Sequence, residues 1–240
     1  MTNKITEDPR IDPRIKAQFE NIDFPDMAGG LSREEMLAQV DSEEGKIELM
    51  IYEAVFNDPA LDDAISSEGL KNETIEIKSE PDGNTIKLLN IRPDNKEVLP
   101  CVYYIHGGGM EIGSCFYKLY QAFGRLIAHQ NVSVIMVDFR NARVPSSALE
   151  VAPFPAGLND CVSGFTYIKT NAKSLNIDAN RIVISGESGG GNLTLATGMK
   201  LAKEGRSNEV KGLYALCPYI AGIWPLPENP SSTENNGIML

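Results

Sequence analysis

A chain of 240 residues that is 42% hydrophobic and 23% charged is long enough for one large domain with a buried core, alone or with a small accessory layer. Its net charge of −11 argues against nucleic acid and anionic membrane surfaces, whose phosphates it would repel. The sequence shows no C-x-x-C spacing, no apolar run of membrane-spanning length and no apolar leader after Met1. The expected setting is therefore soluble, reducing and cytoplasmic, with Cys101, Cys115, Cys161 and Cys217 as free thiols and no membrane insertion.

Residues 1 to about 30 are polar and punctuated by Pro9, Pro13 and Pro25, with a short helix expected near Arg14–Asn21. Ser32-Arg33-Glu34-Glu35 follows, an N-cap serine with a glutamate three residues on. Apolar residues recur at Met36, Val40, Ile47, Met50, Ile51, Ala54 and Val55, which predicts an amphipathic helix with its break at Gly45. This helical region, residues 1–70, reads either as helices packed on the core or as a cap over a site. Thr74–Lys78 alternates apolar and polar residues, and Thr85–Ile91 follows the turn signal Pro81-Asp82-Gly83-Asn84, so the two predict an antiparallel hairpin.

Val98–Ile105 is a nearly continuous apolar run of the kind buried in a mostly parallel sheet. A helix is expected over Phe116–His129, a strand over Val132–Val137 and a helix over Pro155–Asn171. The strand Arg181–Ser185, the helix Asn192–Glu204 and the strand Val210–Leu216 complete the series. Strands alternating with helices after an opening hairpin imply an α/β fold: a doubly wound, mostly parallel sheet with crossover helices on both faces, here spanning residues 71–240.

The chemistry sits at strand ends. Gly186-Glu187-Ser188-Gly189-Gly190 lies between a predicted strand and a predicted helix, the context in which a G-x-S-x-G serine becomes a nucleophile. His106-Gly107-Gly108-Gly109 follows an earlier strand, where backbone N–H groups can turn toward an empty site. A serine attacking a carbonyl creates an oxyanion that needs such preorganised donors, so each motif gives the other a purpose. His106 reads as a residue bracing the glycine loop. His129 reads as a surface residue at a helix C-terminus, where it suits the helix dipole.

His106–Gly109, Asp138–Ala142, Phe154–Asp160 and Gly186–Gly190 occur in the order of the hormone-sensitive-lipase-like (bacterial family IV) carboxylesterases of the α/β-hydrolase superfamily, which this chain resembles from about Thr74 onward. The resemblance implies that Ser188 is the catalytic nucleophile and that Gly107, Gly108 and Gly189 donate to the oxyanion. It further implies a small carboxylic ester as substrate, with a short to medium acyl chain, no cofactor or metal, and a homodimer of the full-length protein. Two departures stand out. Glu187-Ser188-Gly189 replaces the family's frequent Asp-Ser-Ala, and Asn141–Pro145 replaces its usual Leu-Ala-Pro-Glu. In this fold the acid and then the histidine follow the serine, yet His106 and His129 both precede Ser188. The expectation is that both partners lie downstream of residue 240, the last strands being missing, and that the 240-residue chain is inactive or nearly so. The alternative is a non-catalytic small-ligand-binding protein, or an inactive fragment, on the same scaffold.

Overall fold

The computed structural model describes residues 7–19 and 32–220; Pro25 and the proline-rich stretch through Pro225, Pro227 and Pro230 lie outside them. Two units are distinguished: Met36–Ile220, and a smaller one made of Met1–Glu35 and Ala221–Leu240. In the smaller unit the helix α1 (Pro13–Phe19) covers most of the span expected near Arg14–Asn21, whose last two residues lie outside the described set.

Helix α2 (Arg33–Val40) opens on the predicted capping box. Glu35 N–H donates to Ser32 Oγ at 3.3 Å, and Ser32 N–H donates to Glu35 Oε2 at 2.7 Å. The break expected at Gly45 falls earlier. Ser42 caps a new helix, α3 (Glu43–Phe56), by accepting from Gly45 N–H at 3.0 Å, and Gly45 sits in its first turn. The cap outcompetes the weak helix propensity of glycine. Gly45 is still needed there, because a Cβ would collide with the carbonyl of Gln39. A short helix α4 (Ala60–Ala64) follows.

The sheet begins with β1 (Leu70–Lys78) and β2 (Thr85–Pro93), antiparallel in register from Leu70 opposite Pro93 to Lys78 opposite Thr85. Its remaining strands are β3 (Leu99–Ile105), β4 (Ser133–Asp138), β5 (Ile177–Glu187) and β6 (Gly212–Leu216). The order across the sheet is β1-β2-β4-β3-β5-β6. Strand β2 pairs antiparallel with β4, and every later pairing is parallel. This is the mixed α/β architecture expected from the sequence.

Three helices cross between the parallel strands: α5 (Lys118–Ala128), α6 (Ala156–Thr170) and α7 (Gly189–Lys203). The central strands β2, β3 and β4 are largely buried on both faces, and their period of two sorts side chains into two cores. Leu88, Tyr103, Ile105, Ile135 and Val137 join Phe165, Ile168, Leu193 and Leu201 of α6 and α7. Their neighbours Leu89, Tyr104, Val134 and Met136 join Tyr120 and Ala128 of α5. Each buried Val, Leu, Ile, Phe or Met among them contributes about 1.5–3 kcal/mol of burial free energy.

A buried polar cluster fixes the hairpin turn to this body. Asp160 of α6 accepts from Arg140 N–H at 2.9 Å and Nε at 2.9 Å, and from Ser79 Oγ at 2.6 Å. Arg140 also donates to Asp82 Oδ2 at 2.6 Å. Both Asp160 and Arg140 are buried, so the pair joins the β1–β2 turn, the segment after β4 and α6 through charge-assisted bonds.

Candidate active site

Strand β5 delivers Ser188 directly onto the first turn of α7. Ser188 adopts φ +53° and ψ −119°, a region that side-chain-bearing residues rarely occupy. Backbone bonds hold it there. Its N–H donates to Leu216 O at 2.9 Å, and its carbonyl accepts from Asn192 at 3.0 Å and Tyr219 at 3.0 Å. The turn is too tight for side chains at its flanks: a Cβ on Gly186 would lie 2.5 Å from Gly190 O and 2.6 Å from Ile105 O. Helix α7 therefore begins at Gly189 rather than at Asn192. Tertiary closeness demands glycines where helix propensity alone disfavours them. The first N–H groups of a helix lack intrahelical partners and form its positive end, here beneath the serine.

Strand β3 ends at Ile105 and opens into the glycine loop. Gly108 O accepts from Glu111 N–H at 3.0 Å and Ile112 N–H at 3.1 Å, closing a turn in which Gly108 and Gly109 take φ +103° and +64°. This loop and the elbow touch, since a Cβ on Gly189 would lie 2.6 Å from Met110 N and 2.8 Å from Gly109 N. The N–H groups of Gly108, Gly109 and Gly189 have no hydrogen-bond acceptor among the described residues. Gly107 does not join them as the sequence suggests. Its N–H is already paired, donating to Glu187 Oε1 at 2.7 Å.

His106 lies wholly inside the protein, stacked on Phe139 with ring centroids 4.3 Å apart. Its Nδ1 is 2.8 Å from Gly107 O; a carbonyl only accepts, so Nδ1 carries the proton. Burial holds the ring's pKa below the usual value, which keeps it neutral despite Asp138 Oδ1 at 4.0 Å from Nε2. Asp138 itself accepts from Ser114 Oγ at 2.7 Å, Cys115 N–H at 2.9 Å and Ser147 N–H at 2.7 Å. His129 caps α5, and its Nε2 is 2.8 Å from Ser66 O. Both histidines of the chain are thus engaged elsewhere, and neither forms a hydrogen bond with Ser188.

Three residues that sequence reasoning passed over converge on the loop. Glu187 receives Tyr120 Oη on Oε1 at 2.9 Å and Tyr104 Oη on Oε2, besides the Gly107 N–H. Tyr104 comes from β3 and Tyr120 from α5, so no local spacing could have announced the cluster. A cavity of about 200 Å³ lies between α3 and the glycine loop, lined by Val40, Leu49, Tyr52, Gly108, Ile112 and Val144. Arg143 and Glu48 also border it, and Arg143 Nε lies 3.3 Å from Glu111 Oε2. Burial pushes the Tyr52 hydroxyl up to about 12, so it stays protonated.

A model of the alpha/beta hydrolase fold family matches residues 102–239. Among solved structures, esterase Est22 superposes with a TM-score of 0.91 at 56% identity, covering 100% of this chain and 70% of that one. An S188A mutant of Est22 gives 0.88 at 56%, covering 98% and 69%. Brefeldin A esterase, a bacterial homologue of human hormone-sensitive lipase, gives 0.76 at 31%, covering 91% and 59%. Carboxylesterase NlhH of Mycobacterium tuberculosis (strain ATCC 25618 / H37Rv) is 33% identical over 102 residues, 42% of this chain and 30% of that protein. Gut esterase 1 of Caenorhabditis elegans is 34% identical over 102 residues, 42% of this chain and 18% of that one. The chain spans about a third or less of the length of these curated relatives.

Proposed function

The chain belongs to the α/β-hydrolase fold family, and from that premise we propose that it carries the nucleophile half of a serine carboxylesterase site. The observation that carries the proposal is the backbone of Ser188, held at φ +53° on a strand-to-helix turn beside unpaired N–H groups. Ser188 Oγ attacks the carbonyl carbon of an ester. The negative charge that develops on the carbonyl oxygen is received by the N–H groups of Gly108, Gly109 and Gly189. Collapse of the tetrahedral intermediate expels the alcohol and leaves an acyl-enzyme on Ser188, which water then hydrolyses to the carboxylic acid. Each oxyanion donor is worth a factor of about 10²–10³ in kcat.

The proton of Ser188 needs a base within hydrogen-bond reach. His106 and His129 are bound to Gly107 O and Ser66 O, so the proposal assigns the base and its acid to chain beyond residue 240. The longer Est22 chain, of which 70% is matched, supports that assignment. The cavity of about 200 Å³ beside Gly108, to which Val40, Leu49, Ile112 and Val144 contribute aliphatic surface, supports a short to medium acyl group. The activities in the names of Est22 and NlhH support an ester as substrate.

The test is hydrolysis of p-nitrophenyl butyrate by the complete gene product and by its Ser188→Ala variant. The parent turns over the ester, and the variant loses a factor of about 10⁴ or more in kcat. The 240-residue chain alone falls to a similar level, because it lacks the base. A Ser188→Ala variant that keeps the parental rate overturns the assignment of the nucleophile.

A further inference from the structure

Glu187 takes no part in the chemistry above, yet its carboxylate lies between the two halves of the site. It is the last residue of strand β5 and directly precedes Ser188, so its Cα is fixed by the same backbone that fixes the nucleophile. Its carboxylate accepts three bonds: Gly107 N–H at 2.7 Å and Tyr120 Oη at 2.9 Å on Oε1, and Tyr104 Oη on Oε2. A carboxylate can only accept, so all three groups point their hydrogens at it, and the two tyrosines leave it little freedom to rotate. Tyr104 and Tyr120 are 5% and 4% exposed, so the carboxylate's anchors belong to the packed core. Burial, reinforced by the Glu187 charge, pushes both hydroxyls far above the ordinary tyrosine range and keeps them donors.

The bond to Gly107 has a geometric consequence. It turns the peptide before Gly107 toward the carboxylate, and the loop then reverses at Gly108 and Gly109, leaving their N–H groups unpaired. The fit is close: a Cβ on Gly107 would lie 2.5 Å from Glu187 Oε1. The oxyanion donors come from two separate segments, and this contact measures one against the other.

We propose that Glu187 is the positioning residue that aligns the glycine loop with the nucleophile, through the reach of its side chain to Gly107 N–H. The proposal rests on the esterase reading. It concerns reach rather than charge, and two substitutions separate these. Glu187→Asp keeps the charge and shortens the arm by one methylene. Glu187→Gln keeps the reach, and its carbonyl oxygen still accepts from Gly107 N–H.

The experiment measures kcat and KM for p-nitrophenyl butyrate on the complete gene product, with Ser188→Ala as control and each variant assayed where circular dichroism shows it fully folded. Misaimed donors act on the transition state rather than on substrate binding. Glu187→Asp therefore lowers kcat by about tenfold to a hundredfold with KM within about threefold, while Glu187→Gln keeps kcat within about threefold. A residue that only stabilised the fold would lower the melting temperature of both variants and leave the kcat of the folded protein alone. The proposal is overturned if Glu187→Asp keeps the parental kcat, or if Glu187→Gln loses as much as Glu187→Asp. Retained activity in Ser188→Ala would instead overturn the esterase reading.

Discussion

The strand ends around Ser188 and the helices α2 to α4 are built on opposite terms. At the strand ends the backbone is crowded. Gly186 has no room for a Cβ, Ser188 is held in a strained conformation, and Asp138 and Glu187 each accept three or more bonds, as Asp160 does on the neighbouring α6. In α2, α3 and α4 no residue is fully buried, and Ile47, Met50, Ile51 and Val55 of α3 are more than half exposed. The first region is specified by contacts across the fold, and the second by its own caps and spacing. A site that must place donors to fractions of an ångström belongs in the first kind of region, where strain is offset by surrounding packing.

Four substitutions or conditions test that contrast. The largest effect is expected at Asp160→Ala, which leaves Arg140 buried without its main partner. Chemical denaturation should show a loss of about 3–5 kcal/mol, and a loss under 1 would mean that solvent or Asp82 replaces the partner. Gly186→Ala forces a Cβ against two backbone carbonyls, and the unfolding midpoint should fall by the equivalent of about 3 kcal/mol, with esterase activity lost in the complete gene product.

His106 gives a smaller, pH-dependent term. Its folded pKa is depressed by burial, so the unfolded chain binds the extra proton more readily. Stability should therefore decline as pH falls below about 6.5 toward the folded value, and be fully present above that. Urea titrations between neutral and mildly acid pH should show this slope in the parent and a shallower one in His106→Asn. Equal slopes would show that the ring is not the group responsible. The smallest effect belongs to Ile51→Ser on α3, within about 0.5 kcal/mol if its face is solvated. A cost several times larger would show that the face is covered in the intact protein, and the contrast between the two regions would narrow.

What could be read from the sequence follows the same division. Elements defined by local periodicity, such as the fully buried β4 and the amphipathic α5, differ from expectation by only a residue or two. The capping box at Ser32 and the strand–serine–helix order around Ser188 are also local and were legible. The break between α2 and α3 was misplaced because a glycine is an obvious signal and an N-cap serine a subtler one. The use of Gly107 was illegible: its partner Glu187 lies 80 residues away, and that partner's own anchors lie 83 and 67 residues from it. Motif reasoning names the loop that offers donors, but only the packed structure reports which N–H is already taken.

The central claim is that Ser188 forms the covalent intermediate. The direct measurement is peptide mass spectrometry on the complete gene product, quenched in acid during turnover of p-nitrophenyl butyrate. The account predicts one butyryl group on the peptide containing Ser188, absent from the Ser188→Ala variant. A butyryl group on any other residue, or hydrolysis that persists in that variant, would contradict it.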